Sequence, residues 1–362
     1  MNRKKYLEYI LNPINLMGSK KIVQVNPTIP AERIEPEKSK IFLYEFDKEK
    51  CAAIPVETVA ETFAHFDSPG ITWINVEGLK KSDVEAICTH FSIHPLIMED
   101  ILSVGQRPKM DEINGLVFCL LNMLYYEPNS GVETEQVSIV LGHNFVITFQ
   151  EDASKDVFNQ LREKIKMEGS KIRQNNADFL FYSLLDAIVD HYFVVMERLG
   201  EKLELLEEDI IRNANTRSLA KINMLRKEMI LLKRSIPPVR EIINGIMRSE
   251  SVLIDEKTGK YFKDIYDHIV QASDMSDNYR DMMMNLQDLY MNNVNLKTNE
   301  SMKVMAVVTS LMAPATVIGG IFGMNFDVIP FAHQQMGFHL ALFFMFIIPL
   351  IMLFIFKKRG WF

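Results

Sequence analysis

Seven-residue steps from Asp267 reach Asp274, Asp281, Asp288, Asn295, Met302, Thr309, Thr316 and Gly323. A companion series, offset by four, contains Gln271, Asn278, Asn285, Asn292, Asn299, Ala306, Ala313 and Gly320. Together they fill the two heptad positions that are apolar in an ordinary coiled coil. Here those positions hold carboxylates and amides first, then hydroxyls and small residues. Oxygen-bearing side chains of this kind accept hydrogen bonds from the water shell of a cation and can pass a hydrated ion along a line. The line ends on Gly323, Met324 and Asn325, where glycine bares backbone carbonyls and asparagine adds an amide oxygen.

Such a line needs one rigid element to hold its register. No Gly or Pro occurs in residues 260–313, so the sequence predicts an uninterrupted helix of 54 residues there, about 80 Å long at 1.5 Å per residue. Ile265, Ile269, Ala272, Tyr279, Met283, Leu286 and Tyr290, mostly three or four apart, form a separate apolar face for packing. The first half of the polar series also suits a solvated face on a packed helix. The second half also suits tight helix packing, because Gly319 and Gly323 make a GxxxG. Neither alternative accounts for one stripe keeping its register through both environments. A continuous polar line points to a water-filled pathway enclosed by several copies, since one chain supplies one lining helix.

The charge distribution supplies the membrane. The net charge is −7, yet the 53 residues between Lys303 and Lys357 carry one formal charge, Asp327. Residues 304–322 and 338–356 are 19 uncharged residues each, close to the ~20 that cross a bilayer. Buried core helices are the alternative, disfavoured by their pairing at the chain end across a short loop. Lys297 and Lys303 precede the first span and Lys357, Lys358 and Arg359 follow the second, whereas residues 323–337 contain no Lys or Arg. The positive-inside rule therefore predicts a multi-pass protein of the cell (inner) membrane, with cytosolic termini and an outer loop. Trp361 suits an interfacial anchor. The start, "MNRKKYLEYILNPINLMG", is interrupted by Glu8, Asn12 and Pro13 and is no signal peptide. Cys51, Cys88 and Cys119 are far apart and read as reduced thiols. No basic cluster interleaved with aromatics points to nucleic acid. Neither a catalytic triad nor a nucleotide-binding glycine loop is present, so no enzymatic activity is expected.

Upstream, "IFLYEF", "ITWINV", "GLVFCLLNMLYY", "QVSIVLG" and "FVITF" read as strands, the last two joined at His143 and Asn144. Ser82 is placed as the cap of a helix through His90. His90 and His94 have a zinc-ligand spacing but no third ligand follows, and Pro95 is read as the helix stop. Residues 177–213 and 216–250 predict two long helices in an antiparallel hairpin, bent at Pro237 and Pro238. The first has an acidic end (Glu201, Glu204, Glu207, Glu208, Asp209) and the second is basic (Lys221, Arg226, Lys227, Lys233, Arg234). The fold class is α+β. Its expected parts are an α/β domain (1–165), a helical hairpin (166–258), a stalk continuing into the first span (259–322), an outer loop (323–337), the second span (338–356) and a basic tail (357–362).

These features resemble the CorA family of magnesium (cobalt/nickel) transport proteins: two C-terminal spans, Gly-Met-Asn closing the first, a short outer loop and a basic tail. "HPLIMEDILSVGQRPK", "EQVSIVLGHNFVITFQE", "YSLLDAIVDHYF" and "KYFKDIYDH" are similar to CorA segments in order and spacing, so the likeness runs from about Ser39 to the end. The resemblance implies a funnel-shaped homopentamer with one stalk helix per subunit. It implies an outer selectivity site of Gly323, Met324 and Asn325, and a lining of Asn299, Met302, Thr309, Ala313, Thr316 and Gly320, with Asp288 on the same stripe. It further implies regulatory Mg2+ between neighbouring cytosolic domains at Asp100 and Asp264, with Glu99 and Asp186 as weaker candidates. Two departures stand out. The outer loop reads "VIPFAHQQ" in place of a more acidic segment, and a methionine common in the family's pore is Ala313 here.

The residue types suit magnesium, which sheds its waters reluctantly and prefers octahedral oxygen ligands. The first span offers hydroxyls and carbonyls, Asn325 just beyond it adds an amide, and there is no carboxylate in either span, so an ion is met without being trapped. Pro314 frees a helix carbonyl, or merely kinks the helix. No Walker A sequence or membrane-buried ion pair couples transport to another energy source. The membrane potential supplies about 2.3 kcal/mol per charge per 100 mV, roughly 4.6 for a divalent ion. Met302 and Met305 fall at the inner end, where an apolar ring could close the pathway, or where they simply pack. A zinc transporter of the same superfamily is one alternative, opposed by Met324 where such relatives tend to carry Val. A non-conducting, membrane-anchored oligomeric scaffold is the other.

Overall fold

The structure, a computed structural model, describes residues 35–361 except 67, 129, 153–155, 326–328 and 332–333. The basic start of the chain and Asp327 lie outside the described residues. Seven strands form one sheet: β1 (Lys40–Phe46), β2 (Cys51–Val56), β3 (Ile71–Glu77), β4 (Lys109–Ile113), β5 (Leu116–Glu127), β6 (Gly131–Leu141) and β7 (Phe145–Gln150). Their order is β2-β1-β3-β7-β6-β5-β4, antiparallel at every pairing except β3 with β7. The five strands read from sequence are present, with β6 and β7 joined through His143 and Asn144 as expected. The two that were not read, β2 and β4, are the outermost. Pro55 and a half-exposed polar run, "KMDEI", give them the weak alternation of edge strands.

Alternate strand residues face opposite sides of the sheet. Ile74, Val76, Val140, Ile147 and Phe149 meet Ile87, Phe91, Ile97 and Ile101 from α2 (Lys81–His90), α3 (Pro95–Leu102) and the turn between them, beside the short α1 (Val59–Thr62). Ser82 does not cap α2. Lys80 holds the cap position without a side-chain bond, and the Ser82 hydroxyl donates to Asp83. Nor does Pro95 stop that helix: α2 ends at His90, and Pro95 opens α3, where His94 Nδ1 accepts from the Leu96 amide at 3.2 Å. The His90 ring stacks on Phe63, so the histidine pair is structural.

The other face carries a polar chain. Trp73 Nε1 donates to Thr148 at 3.1 Å, Thr148 donates to Asn75 at 2.6 Å, and Asn75 donates to Glu77 at 2.9 Å. Arg162 of α4 (Asn159–Lys166) completes it with bonds to Glu77 and Asp156; α5 (Lys171–Gln174) follows. On the same face Glu135 is 2% exposed, with Oε1 accepting from the Asp152 amide and Oε2 unpartnered. Burial pushes its carboxyl up to about 7 from an ordinary 4.5. A raised acid favours its protonated form when folded, so this contribution to stability is fully present below pH 4.5 and is lost as the pH rises through 7. Glu135→Gln is expected to flatten the fall in thermal midpoint between pH 5 and pH 8, where titration of the ~7 group lies. An unchanged pH slope would contradict this assignment.

The long helices are α6 (Ala177–Asn213), α7 (Thr216–Arg248) and α8 (Glu256–Phe322); α9 (Gln335–Lys358) ends the fold. α7 stays helical through Pro237 and Pro238. Between α6 and α7, Lys202 of the first reaches the buried Glu228 of the second at 3.1 Å, a contact that runs against the acidic-on-basic trend. The acidic end of α6 is exposed, and two of its carboxylates pair within the helix, Glu201 with Arg198 and Glu208 with Arg212. Lys233 of α7 instead pairs with Asp277 of α8 at 2.5 Å. The chain divides into two compact units, one comprising Met1–Leu205 and Lys221–Met284, the other Leu206–Ala220 and Asn285–Phe362. Among the described residues three helices are long and apolar enough to cross a membrane. The apolar window of α6 is 61% buried within the protein, against 6% for α8 and 0% for α9. α6 is therefore a core helix, and α8 and α9 are the candidate spans, each longer than its uncharged run.

Candidate functional site

The apolar and polar faces predicted for α8 are separate in the structure. In the first unit Ile265, Ile269 and Ala272 are fully buried and Met283 nearly so. Asp267, Gln271, Asp274, Asn278 and Asp281 are all exposed. In the second unit Asn285, Asp288, Asn292, Asn295 and Asn299 are exposed as well, and so are Met302, Met305, Ala306, Thr309, Ala313, Thr316, Gly320 and Gly323. No member of the stripe is taken up by the core of its own chain.

Within the membrane segment the stripe has a definite azimuth. Val307, 4% exposed, is the most buried residue there, and Lys303, Leu311, Pro314 and Ile318 flank it on the same face, half-buried. At roughly 100° per residue, Met302, Met305, Thr309, Ala313, Thr316, Gly320 and Gly323 all lie about 160–240° around from Val307. They occupy the side opposite the packed face. Ile318 and Phe322 share an apolar cavity of about 260 Å³ with Leu340 and Phe344 of α9, which identifies the packed face as the one turned to α9.

Individual side chains follow this division. Thr309 and Thr316 donate their hydroxyl protons to the carbonyls of Met305 and Met312, at 2.8 and 3.0 Å. Their oxygens are thereby left as acceptors, the polarity a cation's water shell requires. A side chain at Gly320 would meet open space, whereas one at Gly319 would touch Met345 of α9 at 3.6 Å. The GxxxG is thus split, with Gly319 on the packing side and Gly323 with the stripe. Pro314 and the Ser310 carbonyl it frees lie toward α9, so that carbonyl is not part of the polar line. The helix ends as Gly323 N–H donates to the Gly319 carbonyl at 3.0 Å and Met324 N–H to that of Ile321 at 3.3 Å. Asn325 follows, exposed and outside helical structure.

The acidic candidates lie in the first unit. Asp100 is half-buried in α3 and bound to Lys109 of β4 at 2.5 Å. Glu99 and Asp264 are exposed. Asp186 of α6 gathers with Asp190, one turn on, and with His268 of α8, their nearest ligand atoms all within 4.8 Å of one another. Burial pushes the Asp186 carboxyl up to about 6, with Asp190 and Asp264 adding like-charge repulsion. Sequence reading missed Asp190 and His268, although each sits four residues after a named candidate, Asp186 and Asp264, and so on the same helix face.

The description of CorA-like Mg2+ transporter proteins matches residues 68–358. The chain belongs to the CorA family. It is 39% identical over 297 residues to the cobalt/magnesium transport protein CorA of Thermotoga maritima, covering 82% of this chain and 84% of that protein. It is 25% identical over 297 residues to the CorA of Methanocaldococcus jannaschii, covering 82% and 93%. The complete structure of the M. jannaschii CorA magnesium transporter superposes with a TM-score of 0.76 over 89% of this chain and 99% of that one, at 22% identity. That likeness supports the fold: an α/β domain, long helices and two apolar C-terminal helices.

Proposed function

We propose that this CorA-family chain conducts Mg2+, and with it Co2+ and Ni2+, into the cell as a homopentameric channel driven by the membrane potential. The observation that carries the reading is the stripe opposite α9, with its threonine protons turned back onto the helix. Five such faces around an axis enclose a line of oxygen acceptors without a fixed charge in the membrane. The hydrated ion is received at a ring of Gly323, Met324 and Asn325. Met302 and Met305 form the apolar ring that closes the pathway at the cytosolic side. The termini lie in the cytosol, and the membrane is the cell's inner one.

Regulation follows from the acidic groups. Internal Mg2+ bridges Asp100 of one subunit and Asp264 of the next, with Glu99 and Asp186 nearby, and holds the assembly closed. When Mg2+ falls, the carboxylates repel and the subunits separate. Lys109 already neutralises Asp100, so a cation must displace an ammonium group to bind there. Lys109→Gln is expected to lower the internal Mg2+ concentration that halves uptake by up to roughly fivefold, as an ion pair of up to ~1 kcal/mol is removed. Unchanged half-closure would separate Asp100 from the sensor.

The test is uptake into liposomes of Mg2+, Co2+, Ni2+ and Zn2+ at a series of imposed potentials. The proposal expects Mg2+ entry without ATP, rising as the interior becomes more negative. Zinc entry to the exclusion of magnesium would favour a zinc transporter, and no entry of any ion would favour a scaffold.

A further inference from the structure

The C-terminal tail has an ordered form that the transport reading does not use. After α9, Gly360 adopts a positive φ of 70° and turns the chain back, so that Trp361 stacks on Phe356 with ring centroids 5.2 Å apart. The Trp361 amide donates to the Phe356 carbonyl at 3.0 Å. Lys303 of α8 donates to the Gly360 carbonyl at 3.1 Å and lies 6.0 Å from the Trp361 ring centre. Lys357, Lys358 and Arg359 are exposed beside it. Among the described residues none of these four cations has a side-chain carboxylate partner, and no Asp or Glu follows Asp327 in the sequence.

We infer that Lys303, Lys357, Lys358 and Arg359, folded together by the Trp361 turn, bind the phosphate headgroup of an anionic phospholipid. Four cations from two different helices, without a side-chain carboxylate partner among the described residues, make a focus of positive potential. Complementing the dipole of α9 would explain only the cations on its last turn, whereas Lys303 comes from α8. The depth selects the anion: the patch sits where the uncharged run of α8 begins and α9 ends, beside an indole of the kind that lodges at the headgroup level. Basic side chains at an anionic leaflet are worth roughly fivefold each in affinity. Lys303 directly follows Met302, so a bound headgroup would also tie the proposed inner constriction to the charge of the leaflet, a consequence that rests on the transport reading.

The chain carries its own probe, since Trp361 and Trp73 are its two tryptophans and Trp73 is fully buried in the sheet. The full-length protein is reconstituted in phosphatidylcholine vesicles containing a minor fraction of brominated phosphatidylglycerol, or the same fraction of brominated phosphatidylcholine. Tryptophan quenching is expected to be several-fold stronger with brominated phosphatidylglycerol, to fall partway in Lys303→Gln, and to become equal for the two lipids in K357Q/K358Q/R359Q. Should the triple variant fail to insert, high salt on the unmodified protein must erase the preference. Equal quenching by both lipids in the unmodified protein, or a preference indifferent to salt, would overturn the site. Because binding is read without ion flux, a protein that conducts nothing yet keeps the preference would remove the transport reading and leave this one intact.

Discussion

Replacing Asn325 with alanine is expected to cut magnesium uptake at least tenfold while the protein still assembles and inserts. Asn325 stands free just past the end of α8, where its amide has no structural duty among the described hydrogen bonds. Its loss therefore leaves the fold unchanged and deletes five ligands at once if the assembly is pentameric. A hydrogen bond to a charged or strongly polarised partner contributes about 1.5–3 kcal/mol, so even one lost contact per ion predicts roughly ten- to a hundredfold. Uptake of radiolabelled or dye-detected Mg2+ into liposomes, normalised to inserted protein, reads the effect. Unaltered uptake would place selectivity elsewhere.

The second large effect concerns closure. Asp100→Ala with Asp264→Ala is expected to leave uptake open at internal Mg2+ levels that shut the unmodified protein, shifting half-closure upward by roughly tenfold or more, as removal of carboxylate ligands does at Mg2+ sites. Asp264 is exposed, so its loss carries little risk to the fold. Asp186→Asn serves as the internal comparison. If the Asp186, Asp190 and His268 group is the sensor, that variant reproduces the double substitution. If the Asp100 and Asp264 bridge is the sensor, it does not. Flux measured against internal Mg2+ separates the two, and sensitivity equal to the unmodified protein in both variants would remove cytosolic carboxylates from the gate.

Periodicity made the helical part legible. The seven-residue polar stripe and the apolar face of α8 were separable because a helix repeats its faces regardless of what packs on them, and the structure exposes the stripe while Ile265, Ile269, Ala272, Met283 and Leu286 of the apolar face are buried. The inner strands were legible for the same reason. Edge strands β2 and β4 were not, because a strand bonded on one side needs less alternation and tolerates Pro55 and charge. The Lys202 and Glu228 contact between α6 and α7 was not legible, because net charge along a helix does not say which residues meet, and this buried pair runs against the trend. Asp190 and His268 escaped notice because their association with Asp186 is a contact between helices distant in sequence. Pro314 was read by its chemistry alone, and only the azimuth set by Val307 shows that its freed carbonyl faces α9.

The account depends on the stripe facing water. In a background where Cys51, Cys88 and Cys119 are replaced by serine, a single cysteine is placed at Thr309, Ala313 or Thr316, and for comparison at Phe346, an exposed residue of α9. The account predicts that a membrane-impermeant, positively charged thiol reagent modifies all three stripe cysteines and blocks magnesium uptake, while Phe346→Cys is left unmodified. Stripe cysteines as inert as the one at 346, in a protein that still takes up magnesium, would contradict it.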